Sequence, residues 1–266
     1  MDNTGPSPER VSKQVVRQRA ISDAVMKEGT VRIEALAERF GISVMTVHRD
    51  LDELESQGLL RKARGVATAL PSSLVESSDM YRAAQQQEDK RALAAAALEL
   101  VEPGQALILD DSTTVGHLVH LLPARAPLTV ITNFISNIQE LASMRGITLV
   151  AIGGVYYNWA SSFMGRMTTT TIRELRADTF FMSSAAVTDD SCFHQSQQSV
   201  DTKRAMFDAA ARRVLVVDHT KFDKRALYKV ADLDEFDEVI VDSGTREEEI
   251  DRLRGRGISV IVAPRI

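Results

Sequence analysis

Four polar clusters and one isolated lysine in the second half of the chain carry groups able to do chemistry on a small ligand. They are Asp110-Asp111-Ser112-Thr113-Thr114, Thr132-Asn133, Gly153-Gly154, Asp218-His219-Thr220-Lys221, and Lys203. The first follows an apolar run and opens a helical one, so backbone N–H groups and hydroxyls come together where an anion is welcome. Two carboxylates, Asp110 and Asp218, are also the pair that general acid–base chemistry would use. Taken singly, each cluster has a structural explanation, because Asp and Thr cap helices, Gly-Gly makes turns and an exposed Lys solubilises. Their common position raises the functional reading, since each of the four clusters lies just after a predicted strand.

The elements that must hold them alternate. Strands are expected at 106–110, 128–132, 148–152, 179–183, 214–218, 238–242 and 258–262. Between them helices are expected at Val115–Leu122, Phe134–Met144, around Thr168–Leu175, at Ser199–Arg212 and at Arg246–Arg254. Short β-branched runs separated by helices imply an α/β domain, a mostly parallel sheet covered on both faces. Such sheets bind ligands at the carboxyl ends of their strands. A single helix over Met80 to Val101, rich in helix formers, leads into this domain and stops at Glu102-Pro103-Gly104.

The N-terminal part has a different pattern. Thr30 to Arg64 reads as a helix over Ile33–Phe40, a left-handed stop at Gly41, and a second helix capped by Ser43. Val47, Leu51 and Leu54 form one stripe of that second helix and should face a core. The other side shows Met45, Thr46, Arg49 and Asp52, with His48 on its flank. Short polar groups and an Arg in the first turns are suited to a DNA major groove. After Gly58 two short β-like runs flank an Arg64-Gly65 turn, placing Arg61, Lys62 and Arg64 on a wing beside the DNA backbone or minor groove. A winged helix-turn-helix over 13–70 is therefore expected, with helix Gln14–Lys27 behind it. A tail over 1–12, a Ser-rich linker over 71–78 and a sensing domain over 79–266 complete the chain.

Composition sets the limits. The chain has 266 residues and a net charge of −5. Residues 1–70 hold eleven basic and ten acidic side chains, and the rest twenty-one and twenty-seven. Bulk electrostatics cannot be the main source of DNA affinity, so local placement of Arg49, Arg61, Lys62 and Arg64 and pairing of readers in a homodimer or homotetramer must supply it. No apolar run is long enough to span a bilayer, the first residues hold no secretory apolar stretch, and the single Cys192 excludes an internal disulfide. These features fit a cytoplasmic protein without a membrane partner.

Ser43-x-x-Thr46-Val47-His48-Arg49-Asp50-Leu51 followed by Leu54-Glu55-x-x-Gly58-Leu59-Leu60-Arg61 closely resembles the N-terminal signature of DeoR-family bacterial transcription regulators. The resemblance continues through Asp110 to Thr114, Thr132-Asn133, Gly153-Gly154, Lys203-Arg204-Ala205 and Asp218-x-x-Lys221-Phe222, and covers Arg17 to about Ser243. It implies an effector domain similar to ribose-5-phosphate isomerase that senses phosphorylated sugars. By that likeness Ser112, Thr113, Thr114 and Lys203 or Lys221 would hold a phosphate, while Asp110, Asn133 and Asp218 would meet sugar hydroxyls. The function implied is repression of carbohydrate genes, relieved or reinforced by a sugar or polyol.

Several positions depart from the family pattern. His48 replaces an Arg, and Arg64-Gly65-Val66-Ala67 replaces a His-Gly-Gly-Ala wing. Asp111 stands where the family has Ser, Ser112 where it has Gly, and Ser184-Ala185-Ala186 where a Gly is usual. A carboxylate at 111 disfavours an anion unless it pairs with Lys203 or Lys221, and Ser at 112 restricts positive φ.

A sugar-phosphate isomerase-like enzyme is the competing class, with Asp110 and Asp218 as acid and base; the DNA-reading segment argues against it. No metal or other cofactor is expected: Cys192-x-His194 is a single short pair, and His117 and His120 sit at i,i+3 with no third ligand in sight. No nucleotide-binding loop is present.

Overall fold

A computed structural model of the chain describes residues 8–28, 30–56, 60–69 and 79–265, which divide into two compact units, Met1–Tyr81 and Arg82–Ile266. The expected linker at 71–78, and residues 1–7 of the expected tail, lie outside the described residues.

In the first unit α1 (Pro8–Glu28) is followed by β1 (Thr30–Arg32), α2 (Ile33–Phe40), α3 (Val44–Ser56), β2 (Leu60–Ala63) and β3 (Val66–Ala69). Helix α1 starts at Pro8, so residues 8–12 are helical and not tail. Gly41 ends α2 in the left-handed region at φ 61°, and the Ser43 hydroxyl accepts from Thr46 N at 3.1 Å to start α3. Strands β1, β3 and β2 form a small antiparallel sheet, and Arg64 and Gly65 turn between β2 and β3 at φ 51° and 79°. Ile21, Val25, Leu36, Val47, Leu51, Leu54 and Leu60 pack as its core.

The second unit is entered through α4 (Asp79–Ala84), which straddles the division. It continues with α5 (Gln87–Leu98), β4 (Ala106–Leu109), α6 (Thr113–Val119), β5 (Leu128–Thr132), α7 (Ile135–Leu141), β6 (Ile147–Ala151), β7 (Val155–Tyr157) and β8 (Ser162–Met164). Then come α8 (Arg166–Arg173), β9 (Ala177–Met182), β10 (Ala186–Thr188), β11 (Ser191–His194), α9 (Gln197–Asp208), β12 (Ala210–Val217), β13 (Tyr228–Asp232), β14 (Glu238–Asp242), α10 (Glu247–Gly255) and β15 (Val260–Ala263).

All seven expected strands join one parallel sheet in the order β15-β14-β12-β9-β4-β5-β6. Successive residues of each strand enter opposite cores. Ile108, Phe180, Leu215 and Val239 pack with α8, α9 and α10, while Leu107, Phe181, Val214 and Ile240 pack with α5, α6 and α7. Burial on both faces is why these strands read as unbroken apolar runs.

Three expectations need correction. The helix over Met80 to Val101 is broken at Gln85-Gln86, where Gln86 takes φ 49° and the chain divides into α4 and α5. The helix expected to reach Arg212 ends at Asp208, and β12 starts at Ala210, where its backbone pairs with β9 at Ala177. Two small antiparallel additions were not foreseen, the hairpin β7–β8 and the sheet β10-β11-β13.

Candidate effector site and DNA-reading face

The loop after β4 turns inward. Asp110 is fully buried, and its carboxylate is saturated by short contacts: Oδ1 accepts from Ser112 N at 3.0 Å and Ser112 Oγ at 2.5 Å, and Oδ2 from Ser183 N at 2.9 Å. Lys203, buried on α9, brings its ammonium to 2.5 Å from Asp110 Oδ2 and 3.0 Å from Asp111 Oδ1. The second oxygen of Asp111 accepts from Ser162 Oγ at 3.1 Å. The extra carboxylate at 111 is thus paired with Lys203, so this lysine bridges two carboxylates and is not free for a phosphate. Burial would lift the Asp111 carboxyl, but the Lys203 ammonium outweighs it and holds it below the ordinary range; burial would lower Lys203, and Asp110 and Asp111 together push it above the usual lysine range.

Ser112 meets its local demands without glycine. Its φ is −86°, and its hydroxyl caps α6 by accepting from Val115 N at 3.2 Å. With seven residues and its own cap, α6 is a weaker anion receptor than the sequence suggested. Ser184 likewise turns its hydroxyl onto the carbonyls of Ala186 and Phe193 at 3.0 and 2.8 Å, bracing the β10–β11 connection. Thr113 and Thr114 are buried at the start of α6.

Thr132 and Asn133 end β5. Thr132 Oγ1 accepts from Phe134 N at 3.3 Å, a local turn-making role, while Asn133 Nδ2 donates to Phe163 O at 2.7 Å. Hairpin β7–β8 therefore lies over this end of the sheet, gripping Asn133 through Phe163 and Asp111 through Ser162. Gly153 and Gly154 make the turn into it: Thr168 Oγ1 donates to Gly153 O at 2.9 Å, and a Cβ on Gly154 would lie 2.0 Å from Thr168 Oγ1 and 3.0 Å from Met164 O. After β12, Asp218 Oδ1 accepts from Thr220 N at 3.0 Å, and its Oδ2 lies 3.5 Å from Lys221 Nζ. Burial opposes ionisation of Asp218, but Lys221 and Thr220 lower its carboxyl below the ordinary range.

The structure thus joins Asp110, Asp111, Ser112 and Lys203 directly, and Asp218 with Lys221. Thr132 and the two glycines shape the turns around them. One residue missed in the sequence is Lys90 on α5. Its ammonium donates to Thr113 Oγ1 at 3.0 Å and, through a shorter contact, to the carbonyl of Arg82. A charged residue in the buried Leu93, Ala94 and Ala97 stripe is the signal that could have found it. Ser162 and Ser183 were missed because they belong to a hairpin and a strand end without a distinctive pattern.

A cleft of about 500 Å3, which Lys90 does not line, is bordered by Gln86, Glu88, Asp89, Asp242, Gly244 and Arg265. Beside it His219 Nδ1 lies 2.7 Å from Asp242 Oδ2, and Asp89, His219 and Asp242 present donor atoms within 4.8 Å of one another. The imidazole is engaged by Asp242, and the cluster reads as an ion pair. Neither Cys192 with His194 nor His117 with His120 is joined by a third donor among the described residues. Burial pushes the Cys192 thiol up to about 12, leaving it inert.

In the first unit the expected reading face is exposed. Met45 is 71% accessible, Arg49, Arg61 and Arg64 are exposed, and His48 and Thr46 are half-buried. Ser43 and Thr46 share a hydroxyl contact of 2.8 Å at the start of α3. Lys62 pairs with Asp52, fastening wing to helix, which takes it from the set of uncommitted cations. Asp50, buried within α3, accepts from Arg17 Nε at 2.6 Å and Gln18 Nε2 at 3.2 Å, locking α3 to α1.

Comparison with known sequences agrees with this division. The DeoR-like helix-turn-helix domain profile matches residues 17–73, and the DeoR C terminal sensor domain profile matches 85–243. The chain is similar to a protein named as an aga operon transcriptional repressor of Escherichia coli O157:H7, at 29% identity over 98% of this chain and 99% of the relative. It is also similar to the glycerol-3-phosphate regulon repressor of Escherichia coli strain K12, at 31% identity over 87% and 92%. A solved ribose 5-phosphate isomerase A from Neisseria gonorrhoeae aligns over 52% of this chain and 54% of its own, at 15% identity and TM-score 0.38, too distant to bear on function. With a reader at its N-terminus and a sensor sheet behind it, the chain belongs to the DeoR family of transcriptional regulators.

Proposed function

We propose that this regulator is a repressor of carbohydrate genes whose hold on operator DNA is set by a phosphorylated sugar or polyol bound at the strand ends of its second unit. In the first unit Arg49, Met45, Thr46 and His48 would read the major groove from α3, with Ser43 at its start, while Arg61 and Arg64 hold phosphates from the wing and Lys62 braces it. In the second, Asn133, Ser183 and Asp218 would meet the ligand's hydroxyls, and Thr113 and Lys221 its anionic group.

One observation carries the ligand reading. Asn133 Oδ1 and Ser183 Oγ, at the ends of β5 and β9, are buried without a hydrogen-bond partner among the described residues, and Asp218 Oδ2, at the end of β12, has no hydrogen bond and only the Lys221 ammonium at 3.5 Å. These strands lie within four adjacent positions of the sheet. A buried polar atom left unsatisfied costs roughly 1–3 kcal/mol, which the hydroxyls of a polyol would recover. Two names among the relatives, an aga operon repressor and a glycerol-3-phosphate regulon repressor, favour repression and a sugar or polyol theme.

The near-neutral charge of the first unit favours binding as a homodimer or homotetramer, since two or more readers multiply a weak local grip. Action on DNA favours a cytoplasmic protein. Asp110 is saturated by Lys203, Ser112 and Ser183, so it is poorly placed as a proton carrier, and the chain acts as a sensor and not as an isomerase. Calorimetric titration with a panel of sugar phosphates and their unphosphorylated counterparts tests the reading. Saturable binding of a phosphorylated member, and not of its counterpart, is expected; binding to none would remove the sensor assignment.

A further inference from the structure

Lys90 is 3% exposed, on the apolar stripe of α5, and both of its hydrogen-bond acceptors are neutral, the Thr113 hydroxyl and the Arg82 carbonyl. The charges facing it are mostly of its own sign. Lys221 and Lys224 approach from the segment after β12, Arg82 from α4, and Arg91 follows on α5; Asp218, from the same segment as Lys221, is the nearby carboxylate and is itself 3.5 Å from Lys221. From α6 comes His117, lowered to about 4 by burial and then by Lys90, so it adds no charge near neutral pH. Asp89 precedes Lys90 and is occupied with His219 and Asp242. An ammonium withdrawn from water normally needs a buried anion beside it. Lys203 has two; among the described residues Lys90 has none in direct contact.

We propose that Lys90, Lys221 and the Thr113 hydroxyl form a subsite for a dianionic tetrahedral oxyanion, the phosphate group of the effector, and that filling it draws a proton onto Lys90. This inference rests on the sensor reading above and names the cation that reads the phosphate in place of Lys203.

The proton follows from the surroundings. Burial, and after it the charge of Lys221, lowers Lys90 to about 7. A dianion at the subsite reverses the second effect and favours the charged form. Below about pH 7 Lys90 already carries its proton and binding exchanges none. Above it, each binding event takes up close to one proton, and affinity falls by up to about tenfold per pH unit. His219 is raised, since the bond and charge of Asp242 outweigh burial, so it is a second titrating group and needs its own control.

Sulfate is a suitable probe because it remains a dianion throughout. Calorimetry of the full chain with sulfate and with glycerol 3-phosphate, at pH 6.5 and 8.5 in buffers of different ionisation enthalpy, reads affinity and proton uptake together. With sulfate, wild type and His219→Gln should take up about one proton at pH 8.5 and close to none at 6.5; glycerol 3-phosphate should match it at pH 8.5 and at 6.5 also release the part of a proton that its monoanion carries. Lys90→Met, which keeps the core filled and so should melt no lower than wild type, should bind at least about tenfold more weakly at pH 6.5 and take up no proton. Wild-type affinity and uptake in Lys90→Met would overturn the subsite and leave the sensor reading standing. Wild-type binding of unphosphorylated polyols but of neither anion would overturn the subsite as well. Wild type that binds neither anion and no member of the panel of sugar phosphates and their unphosphorylated counterparts would instead overturn the sensor reading itself.

Discussion

Lys203 and Asp110, ninety-three residues apart in the chain, meet at 2.5 Å with both side chains buried. The contact joins α9 to the loop after β4 and, through Ser183 N on the other side of Asp110 Oδ2, to the end of β9. It fixes the loop that leads into Thr113, which under the proposed reading would meet the ligand's anionic group. Removing one partner leaves a buried charge without compensation, and Lys203→Met should cost about 3–5 kcal/mol in urea denaturation of the second unit. The double change Lys203→Met with Asp110→Asn should cost less than the single one. A double variant less stable than Lys203→Met would show that the pair is not the source of the loss.

Acid should expose the same arrangement. Asp111 is held below the ordinary carboxylate range and Lys203 above the ordinary lysine range. A depressed carboxyl contributes stability that is present above its unfolded value, about 4, and is lost as pH falls through its folded value. A raised ammonium contributes below its unfolded value, about 10.5, and loses that contribution as pH rises through its folded value. The contribution of this pair should therefore be flat from about pH 5 to 9 and decline outside. Denaturant midpoints of wild type and Asp111→Asn across pH 3 to 6 test this: the two curves should converge towards pH 3, and a constant gap would contradict the assignment.

Gly154 should tolerate no side chain. It holds φ 153°, and an added Cβ would meet Thr168 Oγ1 and Met164 O, the latter a backbone atom that cannot move away cheaply. Gly154→Ala should lower the midpoint of thermal unfolding by an amount corresponding to roughly 1–3 kcal/mol. Gly153→Ala, with open space around its Cβ, should be close to neutral.

In the reader, Asp50 and Arg49 are neighbours with opposite tasks. Asp50→Ala strands Arg17 and Gln18 and should destabilise the first unit by about 2–4 kcal/mol. Arg49→Ala should leave the melting of that unit unchanged, weaken DNA binding, and reduce the salt dependence by about one counterion if it holds a phosphate. Far-ultraviolet melting beside salt-dependent binding isotherms separates the two; equal melting losses would mean that Arg49 is structural.

The seven sheet strands were legible because both faces are buried, which writes them as continuous apolar runs. The α2-turn-α3 unit was legible through Gly41, Ser43 and the Val47, Leu51 and Leu54 stripe. Hairpin β7–β8 was not, since strands of three residues leave no period to read. The break at Gln86 was hidden because Gln, Glu and Lys favour helix on both sides. The strand-end residues were found by position, but pairing was beyond reach: nothing local distinguishes Lys203, consumed by Asp110 and Asp111, from Lys90, left with neutral partners.

The most direct measurement is fluorescence anisotropy on DNA from upstream of the chain's own gene, at fixed physiological salt, for wild type, Arg49→Ala and Lys221→Ala, each with and without the sugar phosphates that bind by calorimetry. Wild type should bind the DNA saturably and shift with ligand, Arg49→Ala should lose DNA but keep ligand, and Lys221→Ala should keep DNA but lose the shift. Folded wild type that binds this DNA with an affinity no ligand alters, or an Arg49→Ala variant that is folded yet loses both activities, would contradict a reader and a sensor housed in separate units.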